Sequence, residues 1–472
     1  MIPVIALVGR PNVGKSTLFN VLTQSKDALV LDMPGVTRDR LYGELYYQDH
    51  KAIVIDTGGL GDETLGINAA MRQQTLQAID EADHVLFLVD GRAGLTPGDQ
   101  EIAQILRQRS KPTFLIVNKT DGVDPLVASS EFYQLGFGEP MTIAASHRRG
   151  IQQMLEKTVA PLLAAQVQET LSDEEAGIKI AIIGRPNVGK STLINRLLGE
   201  ERVVVFDLPG TTRDSIYLPL ERQGQRYTLI DTAGVRRKGK VQETIEKFSV
   251  VKTLQAIENA HVVIAVLDAQ EGVTDQDLHV LGYALNVGKA MVLAINKWDG
   301  LTEDQREHVK ATVQRKLVFL ADYIDIHFIS ALHGTGVGLL FKSVHVAYNA
   351  ARRELSTAEV TEVLQQALIE HNPPMVGGRR IKLRYAHMGG HHPPVIVIHG
   401  NQTERLPDFY KRYLIGVFRQ RFKLHGTPIQ LVLKSSDNPF VEKANPLKDP
   451  EVRRQRRIEK NREQSQKNKT QK

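Results

Sequence analysis

The motif that decides the fold reads Gly9-Arg10-Pro11-Asn12-Val13-Gly14-Lys15-Ser16-Thr17-Leu18, and it follows a short apolar run at 2–8. Glycines at both ends of such a loop let the backbone curl, so that its N–H groups point inward at phosphate oxygens. In this pattern the lysine reaches the β- and γ-phosphates, and the serine hydroxyl ligates Mg²⁺. The stretch therefore predicts a strand, a phosphate-binding loop and a helix.

The loop occurs twice. It recurs 175 positions later as Gly184-Arg185-Pro186-Asn187-Val188-Gly189-Lys190-Ser191-Thr192-Leu193. Three other motifs recur at nearly the same offset: Pro34-Gly35-Val36-Thr37-Arg38-Asp39 as Pro209-Gly210-Thr211-Thr212-Arg213-Asp214, Asp56-Thr57-Gly58-Gly59 as Asp231-Thr232-Ala233-Gly234, and Asn118-Lys119-Thr120-Asp121 as Asn296-Lys297-Trp298-Asp299. A duplicated domain explains all four pairs, because the units of solenoid repeats are several times shorter.

Each copy alternates short apolar runs with helix-length amphipathic stretches. The runs lie at 52–56, 84–90 and 112–117 in the first copy, and at 178–183, 227–230, 261–268 and 290–295 in the second. Strands with such continuous Val, Ile and Leu are buried on both faces, which predicts an α/β fold with a mainly parallel sheet and flanking helices.

A smaller α+β domain is predicted after the second copy, with helices at 357–371 and 406–424 and strands at 380–386, 394–399 and 428–434. We therefore divide the chain into domain 1 (1–165), an acidic linker (166–177), domain 2 (178–352), domain 3 (353–440) and a basic tail (441–472). The linker reads as a solvated connection or, alternatively, as a switchable docking strip. The tail has little to bury, which predicts disorder when it is free.

One strand of domain 3 alternates cations with apolar residues. At strand period, Arg380, Lys382 and Arg384 share one face, and Ile381, Leu383 and Tyr385 share the other. The row of cations can bind phosphate or simply face solvent, and the sequence leaves both interpretations open.

Charge separates the two ends of the chain. The net charge is +6, of which the last 117 residues contribute +11 and the first 355 contribute −5. This asymmetry points to an acidic partner for the C-terminal part, with nucleic acid as the leading candidate. The chain has no cysteine and no apolar run of about 20 residues. We therefore expect a cytoplasmic protein without a membrane partner.

Two carboxylates belong on the metal side of the phosphate sites. Asp56 and Asp231 end apolar strands, which is the place of the carboxylate that supports Mg²⁺ in P-loop proteins. The glycines that follow, Gly59 and Gly234, each offer a backbone N–H to the γ-phosphate. Lys15, Lys190 and these two glycines are therefore the first candidates for catalysis.

The Asn-Lys-x-Asp motifs indicate which base is bound. A carboxylate accepts hydrogen bonds from both N1–H and the exocyclic amine of guanine, and adenine presents no such pair. We expect Asp121 and Asp299 to make this distinction, with Asn118 and Asn296 at the base edge. Ser330 and Ala331 are predicted to close over the second base, and Ala144-Ala145-Ser146 is the counterpart in domain 1. Residues 9–17 and 184–192 of the repeated loops, and all residues of the motifs beginning at 56, 118, 231 and 296, are predicted GTP or GDP contacts.

These motifs resemble those of translation-factor-related GTPases. Two such domains followed by a small α+β domain are similar to the Der (EngA) family of tandem GTPases, over about residues 1–440. The resemblance implies GTP hydrolysis with Mg²⁺, a KH-like third domain, and a role in assembly of the large ribosomal subunit with its rRNA. We expect a monomer that carries both sites. Domain 3 contains no GXXG loop between two helices, so KH-style reading of RNA sequence is not expected.

The resemblance also assigns roles to single residues. It identifies Thr37 and Thr212 as the threonines that close on Mg²⁺ and the γ-phosphate, so the implied Mg²⁺ sets are Ser16, Thr37 and Asp56, and Ser191, Thr212 and Asp231. Asn12 and Asn187 stand where related GTPases help to hold K⁺.

One position departs from Ras-like GTPases. Leu60 and Val235 replace the glutamine that orients the attacking water there, so slow intrinsic turnover is expected. Two rival functions stay open: a GTPase of tRNA modification or signalling, and a GTP-gated RNA scaffold with little turnover.

Overall fold

The computed structural model describes most of the chain, apart from both ends and several internal segments. Its residues are 2–23, 30–31, 41–48, 50–57, 68–164, 177–199, 203–205, 217–230, 250–376 and 379–435. Within those residues, no helix is both long and apolar enough to cross a lipid bilayer. The acidic linker except Gly177, the last residues of domain 3 and the basic tail lie outside them.

Domain 1 is built on a mixed, mostly parallel sheet, as the apolar runs predict. Its strands are β1 Val4–Val8, β2 Val30–Leu31, β3 Leu41–Tyr47, β4 His50–Asp56, β5 His84–Asp90, β6 Thr113–Asn118 and β7 Met141–Thr142. They lie in the order β2-β3-β4-β1-β5-β6-β7, and only β3 runs antiparallel to its neighbours. Every residue of β1 is buried, because helices cover both faces of this central strand.

Among the helices of domain 1, the one at Pro97–Arg109 begins at a clear capping signal. The helices are α1 Lys15–Thr23, α2 Asn68–Glu81, α3 Pro97–Arg109, α4 Pro125–Ser130, α5 Ile151–Thr158 and α6 Ala160–Ala164, with 3₁₀ turns at Glu131–Leu135 and Ala145–His147. Helix α3 starts with a capping box, in which the Thr96 side chain accepts from the N–H of Asp99 and Asp99 accepts from Thr96. This box fixes the position of the Asp99 carboxylate, which is used by the phosphate loop described below.

Domain 2 repeats this architecture. Its strands are β8 Ile178–Ile183, β9 Val203–Val205, β10 Leu218–Arg222, β11 Gln225–Ile230, β12 Val262–Asp268, β13 Ala290–Asn296 and β14 Ile326–Phe328. Their order, β9-β10-β11-β8-β12-β13-β14, matches that of domain 1 strand for strand. The helices are α7 Lys190–Leu198, α8 Val250–Asn259, α9 Asp275–Asn286, α10 Glu303–Lys316, α11 Val318–Ala321 and α12 Val337–Ala351, with a 3₁₀ turn at Trp298–Gly300.

Domain 3 is the predicted α+β unit. It contains α13 Thr357–Glu370, the two-residue strands β15 Met375–Val376 and β16 Arg379–Arg380, β17 Lys382–Gly390, β18 Val395–Asn401, a 3₁₀ turn at Thr403–Arg405, α14 Asp408–Phe422 and β19 Gln430–Ser435. The order β17-β18-β19 joins an antiparallel pair to a parallel one. The helices cover one face of this sheet, with Leu364, Leu414 and Phe418 packed on Ile396 and Ile398.

The prediction that Tyr385 shares the buried face with Ile381 and Leu383 is wrong. Leu383 pairs with Gly400 and Tyr385 pairs with His399, so two steps on β17 match one step on β18. This bulge turns the strand over at Arg384. Leu383 is buried and Tyr385 is 44% exposed, on the face that the helices leave open.

Domain 3 docks onto domain 2 through backbone contacts. The N–H of Met291 donates to the carbonyl of Gly426 at 2.7 Å, and the N–H of Gly426 donates to the carbonyl of Tyr323. A Cβ at Gly426 would lie 2.4 Å from Cβ of Ala347, and its φ of 72° also requires glycine. The Arg419 guanidinium stacks 3.9 Å from the centroid of the Tyr323 ring. These contacts fix domain 3 to the end of the domain 2 sheet.

Domains 1 and 2 meet around a partly buried lysine. Lys51 Nζ on β4 forms ion pairs with Glu44 on β3, at 2.8 Å, and with Glu258 on α8. Tyr283 also donates its hydroxyl to Glu258 at 2.8 Å. Burial alone would lower the pKa of Lys51, but Glu258 and Glu44 raise it, so the ammonium stays charged. The junction therefore places one cation between two carboxylates, one from each domain.

Candidate nucleotide-binding sites

Both phosphate loops need glycine before the lysine. Gly14 has φ 99° and Gly189 has φ 96°. A Cβ at Gly14 would lie 2.2 Å from Nδ2 of Asn118, and one at Gly189 would lie 2.3 Å from Nδ2 of Asn296. Any side chain would therefore collide with the amide that holds the loop.

The lysine of each phosphate loop folds back over the loop and donates hydrogen bonds to its backbone carbonyls. Lys15 Nζ donates to the carbonyls of Gly9, at 3.0 Å, and Arg10, at 2.6 Å, and Lys190 Nζ donates to the carbonyl of Arg185 at 2.8 Å. Burial lowers the pKa of Lys15 to about 8, although Asp56 opposes the shift. A phosphate group bound in either loop would therefore contact a lysine side chain that the carbonyls of the loop already hold in place.

Ser16 and Asp56 bring two oxygen ligands together. Ser16 Oγ donates to Asp56 Oδ2 at 2.7 Å, although 40 residues separate them. Register explains the approach, because Leu7 pairs with Asp56 where β1 runs into the loop. Hydroxyl and carboxylate oxygens are the ligand types that Mg²⁺ prefers. The pair therefore fits the metal that the sequence predicts here.

The motif asparagines join three loops in each domain. Asn118 Nδ2 donates to the carbonyl of Val13 at 2.9 Å, and its Oδ1 accepts from the N–H of Ala145 at 3.0 Å. In domain 2 the corresponding bonds of Asn296 go to Val188, at 2.8 Å, and Ala331, at 2.9 Å. Asn118 and Asn296 are therefore held by the protein itself and connect the phosphate loop to the base side.

The motif lysines are held by carboxylates that the sequence reasoning missed. Lys119 Nζ lies 2.7 Å from Asp90 Oδ2, and Lys297 Nζ lies 2.5 Å from Asp268 Oδ2. Burial alone would raise the pKa of Asp90, but the hydrogen bond from Lys119 lowers it. Both aspartates end apolar strands at an offset of 178, the same offset as the Asn-Lys-x-Asp motifs, and that signal could have found them.

The two carboxylates predicted to recognise the base have different neighbours. Asp121 contacts Arg92, and His147 Nε2 lies 3.7 Å from it. Asp299 lies 3.2 Å from His333 Nε2. The hydrogen bond from the Ser330 hydroxyl lowers the pKa of Asp299. Domain 1 has Ala144 at that position, so it keeps the backbone contact at Ala145 and lacks the side-chain one.

The only tryptophan in the chain lies beside Asp299. The N–H of Trp298 donates to the carbonyl of Ile329 at 3.1 Å, and its ring centroid lies 4.3 Å from that of Phe328. The Arg306 guanidinium lies 5.7 Å from the indole centroid. At the same place in domain 1, Thr120 Oγ1 bonds the carbonyl of Ile143 at 2.9 Å. The indole thus lies where its emission would report on a ligand at the second site.

The arginine of each phosphate loop forms an ion pair with an aspartate in the first turn of a helix of the same domain. Arg10 Nε donates to Asp99 at 2.8 Å, and Arg185 Nε donates to Asp277 at 3.0 Å. Arg185 also pairs with Glu271 at 2.6 Å. The sequence reasoning missed these aspartates, although the repeated Thr-x-x-Asp capping boxes mark them. Both arginines thereby anchor their loops to the domain.

The structure places the other predicted loop residues around these contacts. Asn12 and Asn187 have φ of 64° and 63°, a conformation that asparagine tolerates well. Pro11, Val13, Pro186 and Val188 lie in the loops, and Ser16, Thr17, Ser191 and Thr192 lie in the first turns of α1 and α7. Thr57 anchors the end of β4 by donating to the carbonyl of Leu7 at 2.8 Å. Eight predicted site residues lie outside the described part of the chain: Thr37, Gly58, Gly59, Thr212, Asp231, Thr232, Ala233 and Gly234.

Comparison with known proteins agrees with the fold. Residues 4–119 and 179–297 match the family described as 50S ribosome-binding GTPase, and residues 354–434 match the KH-domain-like C-terminal domain of EngA bacterial GTPase enzymes. The fold and sites define a tandem-domain P-loop GTPase, an enzyme that binds and hydrolyses GTP.

Relatives over the full length narrow this class to one family. "GTPase Der" of Marinobacter nauticus is 57% identical, covering 98% of this chain and 99% of that protein. "GTPase Der" of Hahella chejuensis is 57% identical and covers 97% and 96%, respectively. The chain belongs to the GTPase Der family.

Solved structures overlap smaller parts of the chain. A complex of Era with MgGDPNP and nucleotides 1506–1542 of 16S ribosomal RNA is 24% identical, covers 44% of this chain and 72% of that one, and has a TM-score of 0.30. The FeoB G domain of Methanococcus jannaschii is 27% identical, covers 33% and 96%, respectively, and has a TM-score of 0.26.

Replacing each base-recognition carboxylate in turn should separate the two sites. Asp299→Asn removes a charged acceptor of two hydrogen bonds, which should weaken guanine nucleotide binding at the second site by about 100-fold. Trp298 emission should then stop responding to low GDP, while Asp121→Asn should keep the response. Xanthosine diphosphate should restore the signal in Asp299→Asn, because the new amide can donate to its 2-oxo group. Loss of the signal only in Asp121→Asn would contradict the assignment of the sites.

Lys15 should take up a proton when the first site is filled at alkaline pH. With a pKa of about 8, it is about nine-tenths neutral at pH 9 in the empty loop. The unfolded chain keeps the ordinary pKa of 10.5 and binds more protons, so the empty domain gains stability as pH rises from about 8 to 10.5. Phosphate favours the ammonium, so proton uptake on binding should grow between pH 7 and pH 9.

Titration calorimetry of Asp299→Asn in buffers of different ionisation enthalpy measures this uptake at the first site alone. Lys15→Arg in the same background is the matched control, because its guanidinium stays protonated throughout. Equal uptake in the two proteins at pH 9 would show that Lys15 is not the group that titrates.

Proposed function

We propose that this GTPase is a switch in the assembly of the large ribosomal subunit, acting as a cytoplasmic monomer on ribosomal RNA. The match of both nucleotide-binding domains to a family described as 50S ribosome-binding GTPase carries the proposal. The +11 charge of the C-terminal 117 residues supports it, because phosphate contacts by Lys and Arg dominate RNA affinity.

Guanine nucleotide would bind across the carboxyl ends of each sheet. Lys15 and Lys190 would contact the phosphates together with the loop N–H groups, and Asp121 and Asp299 would accept from the guanine edge. The stems of Lys119 and Lys297 would pack on the base, since their ammonium groups are already held by Asp90 and Asp268. Asn118 and Asn296 would keep these two halves of each site at a fixed separation.

Mg²⁺ would be held in domain 1 by Ser16 and Asp56, whose oxygens already converge, together with Thr37. Ser191, Asp231 and Thr212 are the corresponding set in domain 2 by the repeat. When bound, the ion supplies positive charge that offsets the charge developing on the phosphate oxygens.

The chain's own contribution to hydrolysis would be positioning and charge. The loop N–H groups and Lys15 or Lys190 stabilise the negative charge that spreads over the transferred phosphoryl group. Thr37 and Gly59, with Thr212 and Gly234, would sense the γ-phosphate and relax after its loss. Leu60 and Val235 cannot hydrogen-bond to a water molecule, so water would be oriented by other groups.

A potassium ion is the proposed source of additional positive charge beside the phosphates. Asn12 and Asn187 lie exposed in the phosphate loops, in equivalent left-handed conformations, where their side-chain oxygens can reach a cation beside the phosphates. Turnover should therefore rise in potassium over sodium at equal ionic strength, and Asn12→Ala with Asn187→Ala should remove the difference. Equal phosphate release in the two salts would refute the proposal.

Ribosome sedimentation tests the proposed function directly. The protein with a non-hydrolysable GTP analogue should co-migrate with the large subunit, and it should dissociate with GDP. Asp121→Asn and Asp299→Asn, each tested with analogue, would show which site controls binding. Absence of co-migration in both nucleotide states would favour tRNA modification or signalling. Co-migration without any phosphate release, with or without ribosomes, would favour an RNA scaffold.

A further inference from the structure

The rings of Tyr385 and His399 form a stacked column on domain 3, and the ring of His387 lies at its side, with its centroid 6.5 Å from that of Tyr385. The rings of Tyr385 and His399 are nearly parallel, with 6° between their planes and 4.4 Å between their centroids. His387 lies beside His399, with centroids 5.3 Å apart, and their Nε2 atoms are 3.2 Å apart. Aromatic pairs in this geometry attract one another beyond the area they bury.

The column stands on the sheet face that the helices of domain 3 leave open. Cross-strand pairing places Lys434 next to His399, and Val432 next to Val397 on the same side. Tyr385 is 44% exposed and Val432 is 38% exposed. We call this surface the open face and define it by its outward side chains, Lys382, Tyr385, His387, His399, Val432 and Lys434.

The bulge in β17 is what creates the column. Without the extra residue at Arg384, strict alternation would put Tyr385 into the helix-covered core beside Leu383. With it, Tyr385 comes opposite His399 on the open face. Bulges often re-aim a side chain at functional positions, so this one is a structural reason to look for a ligand.

The charge of the open face selects the kind of ligand. β17, β18 and β19 contain three cations, Lys382, Arg384 and Lys434, and no aspartate or glutamate. All three cations are exposed around the column. Partial burial, together with His387 and Lys434, lowers the pKa of His399, which disfavours a charge on the stacked imidazole. An aromatic column with cations beside it matches nucleotide bases joined by phosphates.

The β17 edge of this sheet is closed to a peptide strand. Thr361 Oγ1 on α13 donates to the carbonyl of Ala386 at 2.8 Å and accepts from its N–H at 3.2 Å. Gln365 donates to the carbonyl of Arg384 at 2.7 Å. Strand addition at β17 would have to break these bonds, so beside Tyr385 a ligand that lies on the face is favoured over a strand that extends the sheet at this edge.

We infer that the open face of domain 3 is a stacking platform for bases of single-stranded RNA, in which a base stacks on the Tyr385 ring. Lys382 and Lys434 of that face, and the exposed Arg384 at the bulge beside it, contact the phosphates. That this RNA is ribosomal rests on the proposed function. The platform does not need a GXXG loop, which this domain lacks. It recognises unpaired nucleotides without strong preference for their sequence.

Binding of a labelled single-stranded RNA 12-mer to the full chain, saturated with GDP, tests the platform by fluorescence anisotropy. Tyr385→Ala should weaken binding about tenfold, because stacking on one aromatic ring contributes at that level. Tyr385→Phe should bind within about twofold of the parent, since it keeps the ring. Phe409→Ala is the matched control, because Phe409 is a 59% exposed aromatic on α14 of the same domain. It should leave the affinity unchanged.

Salt dependence separates stacking from phosphate contacts. Tyr385→Ala should keep the slope of log affinity against log salt, whereas Lys434→Gln should reduce it by about 0.7. A 2-aminopurine in the RNA should be quenched by the parent and by Tyr385→Phe, and not by Tyr385→Ala. Circular dichroism melting checks that each variant is folded. His399→Ala is the second test, because it removes the ring that supports Tyr385.

Unchanged RNA affinity in both Tyr385→Ala and His399→Ala would overturn the platform, as would an equal loss in Phe409→Ala. Ribosome sedimentation keeps the two proposals apart. If the parent co-migrates with the large subunit but Tyr385→Ala binds RNA normally, only the platform fails. If the parent does not co-migrate but Tyr385→Ala loses RNA affinity, the platform stands and the ribosomal role fails.

Discussion

One buried side-chain amide holds each nucleotide site together. Asn118 bonds to the phosphate loop through Nδ2 and to the loop over the base through Oδ1, and Asn296 does the same in domain 2. The amide is also the reason that Gly14 and Gly189 have no side chain. A phosphate cradle and a base pocket function as one site only at a fixed separation, and these two residues set it without any ligand.

Sheet register brings the remaining groups to the amide. Asp90 pairs with Asn118 across β5 and β6, and Asp268 pairs with Asn296 across β12 and β13. The carboxylates that hold the motif lysines therefore lie one strand away from the asparagines. Because the parallel strands run in the same direction, the polar residues at their carboxyl ends lie next to one another. The apolar residues that precede them in each strand form the core.

The features that could be predicted from the sequence are the ones that recur in both domains or depend on residues close together in the chain. The duplicated loops, the strands and the site motifs follow from residue types at fixed spacing. Asp99 and Asp277 were missed because each acts across about 90 residues on an arginine of the loop. Tyr385 was placed on the wrong face because one bulge inverts an alternating pattern, and bulges have no reliable signal in a single strand. The junction between domains 1 and 2 could not be predicted, since Lys51 and Glu258 are ordinary charges in the sequence.

The two junctions of domain 2 differ in what their separation would cost. Pulling domain 3 away would break the backbone hydrogen bonds at Gly426 and remove the guanidinium of Arg419 from the Tyr323 ring. Separating domain 1 would return Lys51, Glu44 and Glu258 to water, and their recovered hydration would offset most of the lost attraction. It would also divide an apolar cluster that contains buried residues of both domains, such as Ile53 and Tyr283. Glu258 also lies on α8, the first described helix after the second Asp-Thr-Ala-Gly motif. Under the proposed switch, a rearrangement after hydrolysis in domain 2 would therefore reach domain 1 through Glu258 and α8, while the contacts of Gly426 and Arg419 keep domain 3 and its open face on domain 2.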